Sequence, residues 1–102
     1  MMNDFDDFFS GVDDAVIRRE KAKARELRKS NWWKNKTSKG LCHYCGAKTP
    51  AGQLTMDHIV PLARGGLSNR NNLVPTCKSC NTKKRSLLPI EWEEYMQNLD
   101  RE

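Results

Sequence analysis

Apolar positions along the chain are sparse, and their period changes along it. Residues 12–36 are rich in Ala, Glu, Lys and Arg, all good helix formers, behind a capping start at Ser10-Gly11-Val12-Asp13. This predicts a helix over 12–36. Its apolar positions are few, Val12, Val16, Ile17 and Leu27, a stripe too thin for a core helix. The pattern therefore predicts an arm, either solvated or laid along a phosphate backbone. Trp32 and Trp33 close it, and one of them is expected to dock it onto the folded part. Residues 1–11 mix Phe and Asp without a helical or strand period and predict no regular structure.

Residues 40–88 form the organised centre. Residues 41–45 read as a tight knuckle and 49–52 as a turn through Pro50 and Gly52. Residues 53–59 predict a short strand with Leu54 and Met56 on one face. A loop over 61–72 is marked by Gly65-Gly66 and Ser68-Asn69; residues 73–75 then predict a second strand, ended by Pro75. A helix is expected over 78–87, a break at Pro89, and a last helix over 90–99. There Ile90, Tyr95 and Leu99, with Trp92 and Met96, are expected to cover one side of a small core. The expected class is α+β. It is organised as an acidic tail with a basic helical arm (1–39), a core (40–88) and a C-terminal helix packed on that core (89–102).

A chain of 102 residues with 37% hydrophobic content points to one domain with a marginal core, of the kind that needs a staple. Four cysteines supply it, as Cys42/Cys45 and Cys77/Cys80. Two Cys-x-x-Cys pairs favour tetrahedral zinc over a redox pair or an iron–sulfur cluster. Such a closed site is structural, and its binding energy is also folding energy. The 31 residues between Cys45 and Cys77 exceed the spacing of a common zinc ribbon, so a substantial element lies between the knuckles. His43 reads as a surface residue, since four thiolates already fill the zinc shell. No apolar run is long enough for a membrane helix, and the amino terminus lacks the order of a signal peptide. The expectation is a soluble cytoplasmic protein with reduced thiols and no membrane partner.

Charge changes the picture of partners. Residues 1–14 carry −5, residues 15–39 carry +8, residues 40–88 carry +6 and residues 89–102 carry −4. A basic middle between acidic ends points to nucleic acid, against the simpler reading of a solubilising surface.

Between the knuckles stands Met56-Asp57-His58-Ile59-Val60-Pro61, then Gly65-Gly66, then Asn72-Leu73-Val74-Pro75-Thr76-Cys77-Lys78-Ser79-Cys80-Asn81, with Lys83-Lys84-Arg85 on the following helix. In this order and spacing the segment resembles the HNH endonuclease family, from about residue 41 to 88. The resemblance implies a ββα-metal fold in which His58 is the general base. It also implies that Asp57 and Asn81 hold one divalent ion and that Asn72 braces the loop. Many members carry His where this chain has Asn81, which places it with the Asn variants.

The chemistry of phosphodiester hydrolysis agrees with these roles. A neutral imidazole can take a proton from water at neutral pH, and of the two histidines His43 is tied to the knuckle. A carboxylate and an amide oxygen suit magnesium or manganese, which would relieve charge on the phosphate. Lys78, Lys83, Lys84, Arg85 and Arg64 are the expected DNA-binding residues, contacting phosphates without reading sequence. Taken singly, Asp57 reads as a turn carboxylate, His58 as a packed strand histidine, Asn72 as a turn residue and Asn81 as a helix cap; it is the ordered set that points to a site. The expected function is a metal-dependent endonuclease acting on double-stranded DNA with low sequence specificity. The alternatives are a zinc-dependent nucleic-acid-binding module without catalysis and a zinc domain that binds proteins.

Overall fold

Asp13 starts the first helix: its carboxylate accepts a hydrogen bond from the Ala15 amide at 2.8 Å, and α1 runs Asp14–Arg28. The computed structural model describes residues 12–100, with side chains to residue 98. The expectations for residues 1–11 and for the side chain of Leu99 lie outside what is described. The single helix expected over 12–36 is two helices. Ser30 is extended, at φ −80° and ψ 158°, and its Oγ accepts from the Trp33 amide at 3.3 Å. That cap ends one helix and begins the next, α2 (Asn31–Ser38), because a serine hydroxyl at an N-cap satisfies an otherwise orphaned amide.

Nor is α1 a free arm. Glu20 and Ala24, one turn apart on one face, are buried to 2% and 3% exposure. In α2, Trp33 and Thr37 repeat this spacing and are buried too. Trp33 is the docking tryptophan, while Trp32 stays half-buried beside it. The apolar count failed to find this interface because half of it is polar.

The centre is a two-stranded antiparallel sheet, β1 (Thr55–His58) and β2 (Leu73–Thr76), paired Thr55 with Thr76 through His58 with Leu73. Pro75 lies inside β2 instead of ending it. It donates nothing to the ladder, and its carbonyl instead accepts from the His43 amide at 2.8 Å, which ties the first knuckle to the sheet. Every residue of β2 is buried. The long connection between the strands contains one-turn helices at Leu62–Arg64 and Arg70–Asn72, and another, Ala51–Gln53, precedes β1.

Helix α3 (Lys78–Lys84) is shorter than the expected 78–87, stopping where Arg85 takes a positive φ of 48°. Helix α4 (Pro89–Asp100) begins at the proline expected to break the chain. Proline suits a first helical turn, where its missing N–H has no partner to lose, and Glu91 Oε1 accepts from the Leu88 amide at 2.7 Å just before it. Trp92 packs with Cys42 and Cys80, joined by Tyr44, Leu87, Tyr95 and Met96. Ile90, expected in this cluster, is 65% exposed: it lies in the first turn of α4, on the side away from Trp92. Among the described residues no helix is long and apolar enough to cross a membrane.

Candidate active site

The two knuckles bring all four cysteines together. Their sulfurs lie within 4.8 Å of one another, and Cys45 Sγ is 3.9 Å from Cys77 Sγ. Four thiolates around zinc at about 2.3 Å would sit about 3.8 Å apart, so the set fits a tetrahedral ion. The local folds explain the convergence. In the first knuckle the Gly46 amide donates to the Cys42 carbonyl, at a positive φ of 72° that only glycine takes without strain. In the second, Cys77 is the N-cap of α3, and its sulfur accepts from the Cys80 amide at 3.4 Å. Burial opposes ionisation of Cys42, but backbone N–H groups of Cys45, Cys77 and Tyr44 outweigh it and bring the thiol down to about 7. Burial pushes the Cys80 thiol up. A bound cation would offset that cost.

Asp57 is 6% exposed, in the middle of the hairpin. Its Oδ2 accepts from Tyr44 Oη at 2.7 Å and from Lys84 Nζ at 3.1 Å. Lys84 is fully buried and also donates to the His58 carbonyl at 3.1 Å. This corrects the expected DNA contact at Lys84: its charge is consumed inside the hairpin, where a buried carboxylate needs a partner. Oδ1 of Asp57 makes no hydrogen bond among the described residues, yet no buried polar side-chain atom there is unsatisfied, so Oδ1 reaches solvent.

Asn81 is set by Thr55. The Thr55 hydroxyl donates to the Thr76 carbonyl at 3.0 Å, so it accepts from Asn81 Nδ2, also at 3.0 Å. That orientation leaves Asn81 Oδ1 without a partner among the described residues. A carboxylate oxygen and an amide oxygen, each with a free lone pair, fit a hard divalent ion that keeps most of its waters.

His58 ends β1. Burial, above all, pushes its imidazole below the ordinary value, helped by Lys84 and Arg28 and opposed by Asp57 and Glu20. It faces a cleft of about 350 Å³ lined by Lys21, Ala24, Arg25, Arg28, His58 and Leu62. Its Nε2 lies 2.8 Å from Ser68 Oγ. The loop behind it is braced by Asn72, whose Oδ1 accepts from the Val60 amide at 2.9 Å. Asn72 Nδ2 donates to the carbonyls of Val60 and Leu67 at 3.1 and 2.8 Å. Gly66 permits the brace: a Cβ there would lie 1.7 Å from the Val60 carbonyl oxygen.

Lys78, Lys83 and Arg85 are exposed. Arg64 is exposed too, but pairs with Glu91 at 3.1 Å. His43 is exposed and lies edge-on to Tyr44. Sequence reasoning missed Tyr44, Ser68, Glu20 and the basic wall of the cleft. The last was findable, because Lys21, Arg25 and Arg28 share one helix face by spacing. Tyr44, Ser68 and Glu20 left no comparable signal.

The family model described as HNH endonuclease matches residues 42–87. The CRISPR-associated endonuclease Cas9 of Corynebacterium diphtheriae is 48% identical over 44 residues, covering 42% of this chain and 4% of that protein. The Cas9 of Actinomyces naeslundii is 39% identical over 54 residues, covering 52% of this chain and 5% of that protein. The type IV methyl-directed restriction enzyme EcoKMcrA of Escherichia coli is 33% identical over 55 residues, covering 48% of this chain and 20% of that protein. The chain therefore spans a fifth or less of each of these relatives. Helices α1 and α2 lie outside the family match.

Proposed function

Residues 42–87 being an HNH endonuclease domain, we propose that the chain hydrolyses phosphodiester bonds of double-stranded DNA, with His58 as general base and one divalent ion held by Asp57 and Asn81. The observation that carries this reading is the cleft: a histidine kept neutral by burial opens onto three exposed cations, Lys21, Arg25 and Arg28. Cations on a helix face bind phosphate oxygens without regard to base, which favours low sequence specificity. His58 takes a proton from a water as the water oxygen bonds to phosphorus. The phosphorus–oxygen bond to the leaving sugar then breaks, and the leaving oxygen takes a proton from solvent. Lys84 and Tyr44 fix one oxygen of Asp57 and leave the other for the ion; Thr55 accepts from the amide nitrogen of Asn81 and leaves its oxygen for the ion. Magnesium or manganese bound there would supply charge stabilisation to the phosphate and the leaving oxygen. Lys78, Lys83 and Arg85 extend the phosphate-contacting surface, while zinc in the four-cysteine site would hold Cys80, and with it the adjacent Asn81, at the start of α3. Residues 40–88 act as the nuclease unit, with 1–39 and 89–102 as flanking elements.

A second reading, binding without cleavage, is favoured by the fact that Asp57 already has a cationic partner. Nicking of supercoiled plasmid by the purified chain, with and without magnesium or manganese and with zinc content followed throughout, separates the two. Cleavage should need the added ion and should fall by roughly 10²–10⁴-fold in His58→Ala. Its rate should drop with acid through a midpoint below the ordinary histidine value of about 6.5, because the base works only when neutral. Full activity in His58→Ala would sink the assignment.

A further inference from the structure

We infer that Glu20 and Ser68 are positioning residues for His58, fixing which imidazole nitrogen carries the proton, so that a helix outside the HNH domain completes its active site. The inference rests on the reading of His58 as the base. Ser68 is 6% exposed and Glu20 is 2% exposed, and they meet between α1 and the loop that follows β1. The Ser68 amide donates to Glu20 Oε1 at 2.6 Å, and Ser68 Oγ donates to the Glu20 backbone carbonyl at 2.6 Å. A carbonyl oxygen can only accept, so the single hydroxyl proton of Ser68 is committed to it. At 2.8 Å from His58 Nε2, the same Oγ has only lone pairs left to offer. Nε2 must therefore be the protonated nitrogen, and Nδ1 is left bare as the proton acceptor. The chain of assignment runs from a helix carbonyl to a hydroxyl to the imidazole, and each link removes one choice.

Glu20 does a second job in the same contact. Its carboxylate is held below the ordinary range, first by the Ser68 amide and also by Lys23 at 3.2 Å, so it stays an acceptor and keeps the loop seated on α1. The bond from its backbone carbonyl sets the tautomer, and the bond from its side chain sets where Ser68 stands.

The test reads the tautomer directly, by two-bond ¹⁵N–¹H correlation of the full-length, zinc-bound chain labelled in histidine, at a pH where His58 is neutral. Wild type should show one His58 form, protonated at Nε2. Ser68→Ala, which deletes only the hydroxyl, should give a mixture of the two forms and a drop in kcat on the order of 10–100-fold with KM little changed, the size of effect that misplacing a reacting group has. Glu20→Gln keeps both acceptors and should keep the Nε2-protonated form in the spectrum, whereas Glu20→Ala should resemble Ser68→Ala. A wild-type His58 protonated at Nδ1 would overturn the proposal. So would a Ser68→Ala protein with unchanged tautomer and unchanged kcat. The spectrum needs no cleavage, so failure of the nuclease reading and failure of this one are distinguishable.

Discussion

At the scale of single residues, the site depends on one buried ion pair. Lys84 Nζ, with no exposure, lies 3.1 Å from Asp57 Oδ2, and Tyr44 completes the shell of that oxygen. Removing one partner of such a pair leaves the other charge buried and uncompensated, which is worse than removing both. Lys84→Met should therefore lower stability by about 3–5 kcal/mol, read by urea unfolding with zinc bound. Lys84→Met with Asp57→Asn should recover much of that loss. Neither should change the salt dependence of DNA binding, because Lys84 has no surface to offer a phosphate; a shallower slope would show that it does. Asp57, His58 and Asn72 stand in a fixed order between two cysteine pairs, with Asn81 directly after the second, and that order is what singled them out in the sequence as a candidate set. Lys84 was misread because Lys83-Lys84-Arg85 is uniform in type, and type alone does not say which cation turns inward. The clue lay in spacing: Lys84 is three residues beyond Asn81, on the face of α3 that meets β1. Glu20 left no clue, since a glutamate among arginines and lysines reads as solvated helix.

Among the elements, the strand pair and the knuckles followed from local pattern, and the loop between them did not. Composition marked residues 61–72 as a loop, yet its shape depends on contacts between residues five to twelve apart, which composition does not pair. Asn72 bonds Val60 twice and Leu67 once, and Gly66 lies where any side chain would strike the Val60 carbonyl. This brace and the bonds from Glu20 together put Ser68 against His58. Gly66→Ala should force the loop off the end of β1, since the obstacle is backbone and cannot rotate away. The four-cysteine site lies on other elements and should keep its metal. The expected result is one zinc per chain by elemental analysis with nicking reduced at least tenfold, the order of loss that a misplaced base brings. Activity at the wild-type level would mean that the loop does not position His58. Helix ends were the other weak point: Ser30 divides 12–36 into two helices by capping Trp33, a local competition that a sum of helix propensities averages away.

Across the whole molecule, charge was legible and its placement was not. The excess of +8 over residues 15–39 pointed to a polyanion, but the thin apolar stripe made α1 look detached. Glu20 and Ala24 dock it instead, and that docking sets the adjoining flank of the helix beside His58 as a wall of its cleft. Lys21, Arg25 and Arg28 lie one turn apart on that wall, all exposed. On the proposed reading they hold the backbone of the strand being cut, while Lys78, Lys83 and Arg85 hold DNA farther along. Replacing all three cleft cations by Gln should leave the fold intact, because none of them is buried and glutamine is a good helix former. It should lower the log–log salt slope of duplex binding by about 2.7, at about 0.9 for each phosphate left without its cation. Cleavage should fall further than binding does, since these cations also set the phosphate against the imidazole. The matching triple replacement at Lys78, Lys83 and Arg85 should lower the slope by a similar amount while cleavage falls only in step with binding. Binding titrations at several salt concentrations, paired with nicking rates at saturating protein, separate the two outcomes. If the α1 variant kept the wild-type slope, the arm would not touch DNA, and the basic wall would be an ordinary solvated face.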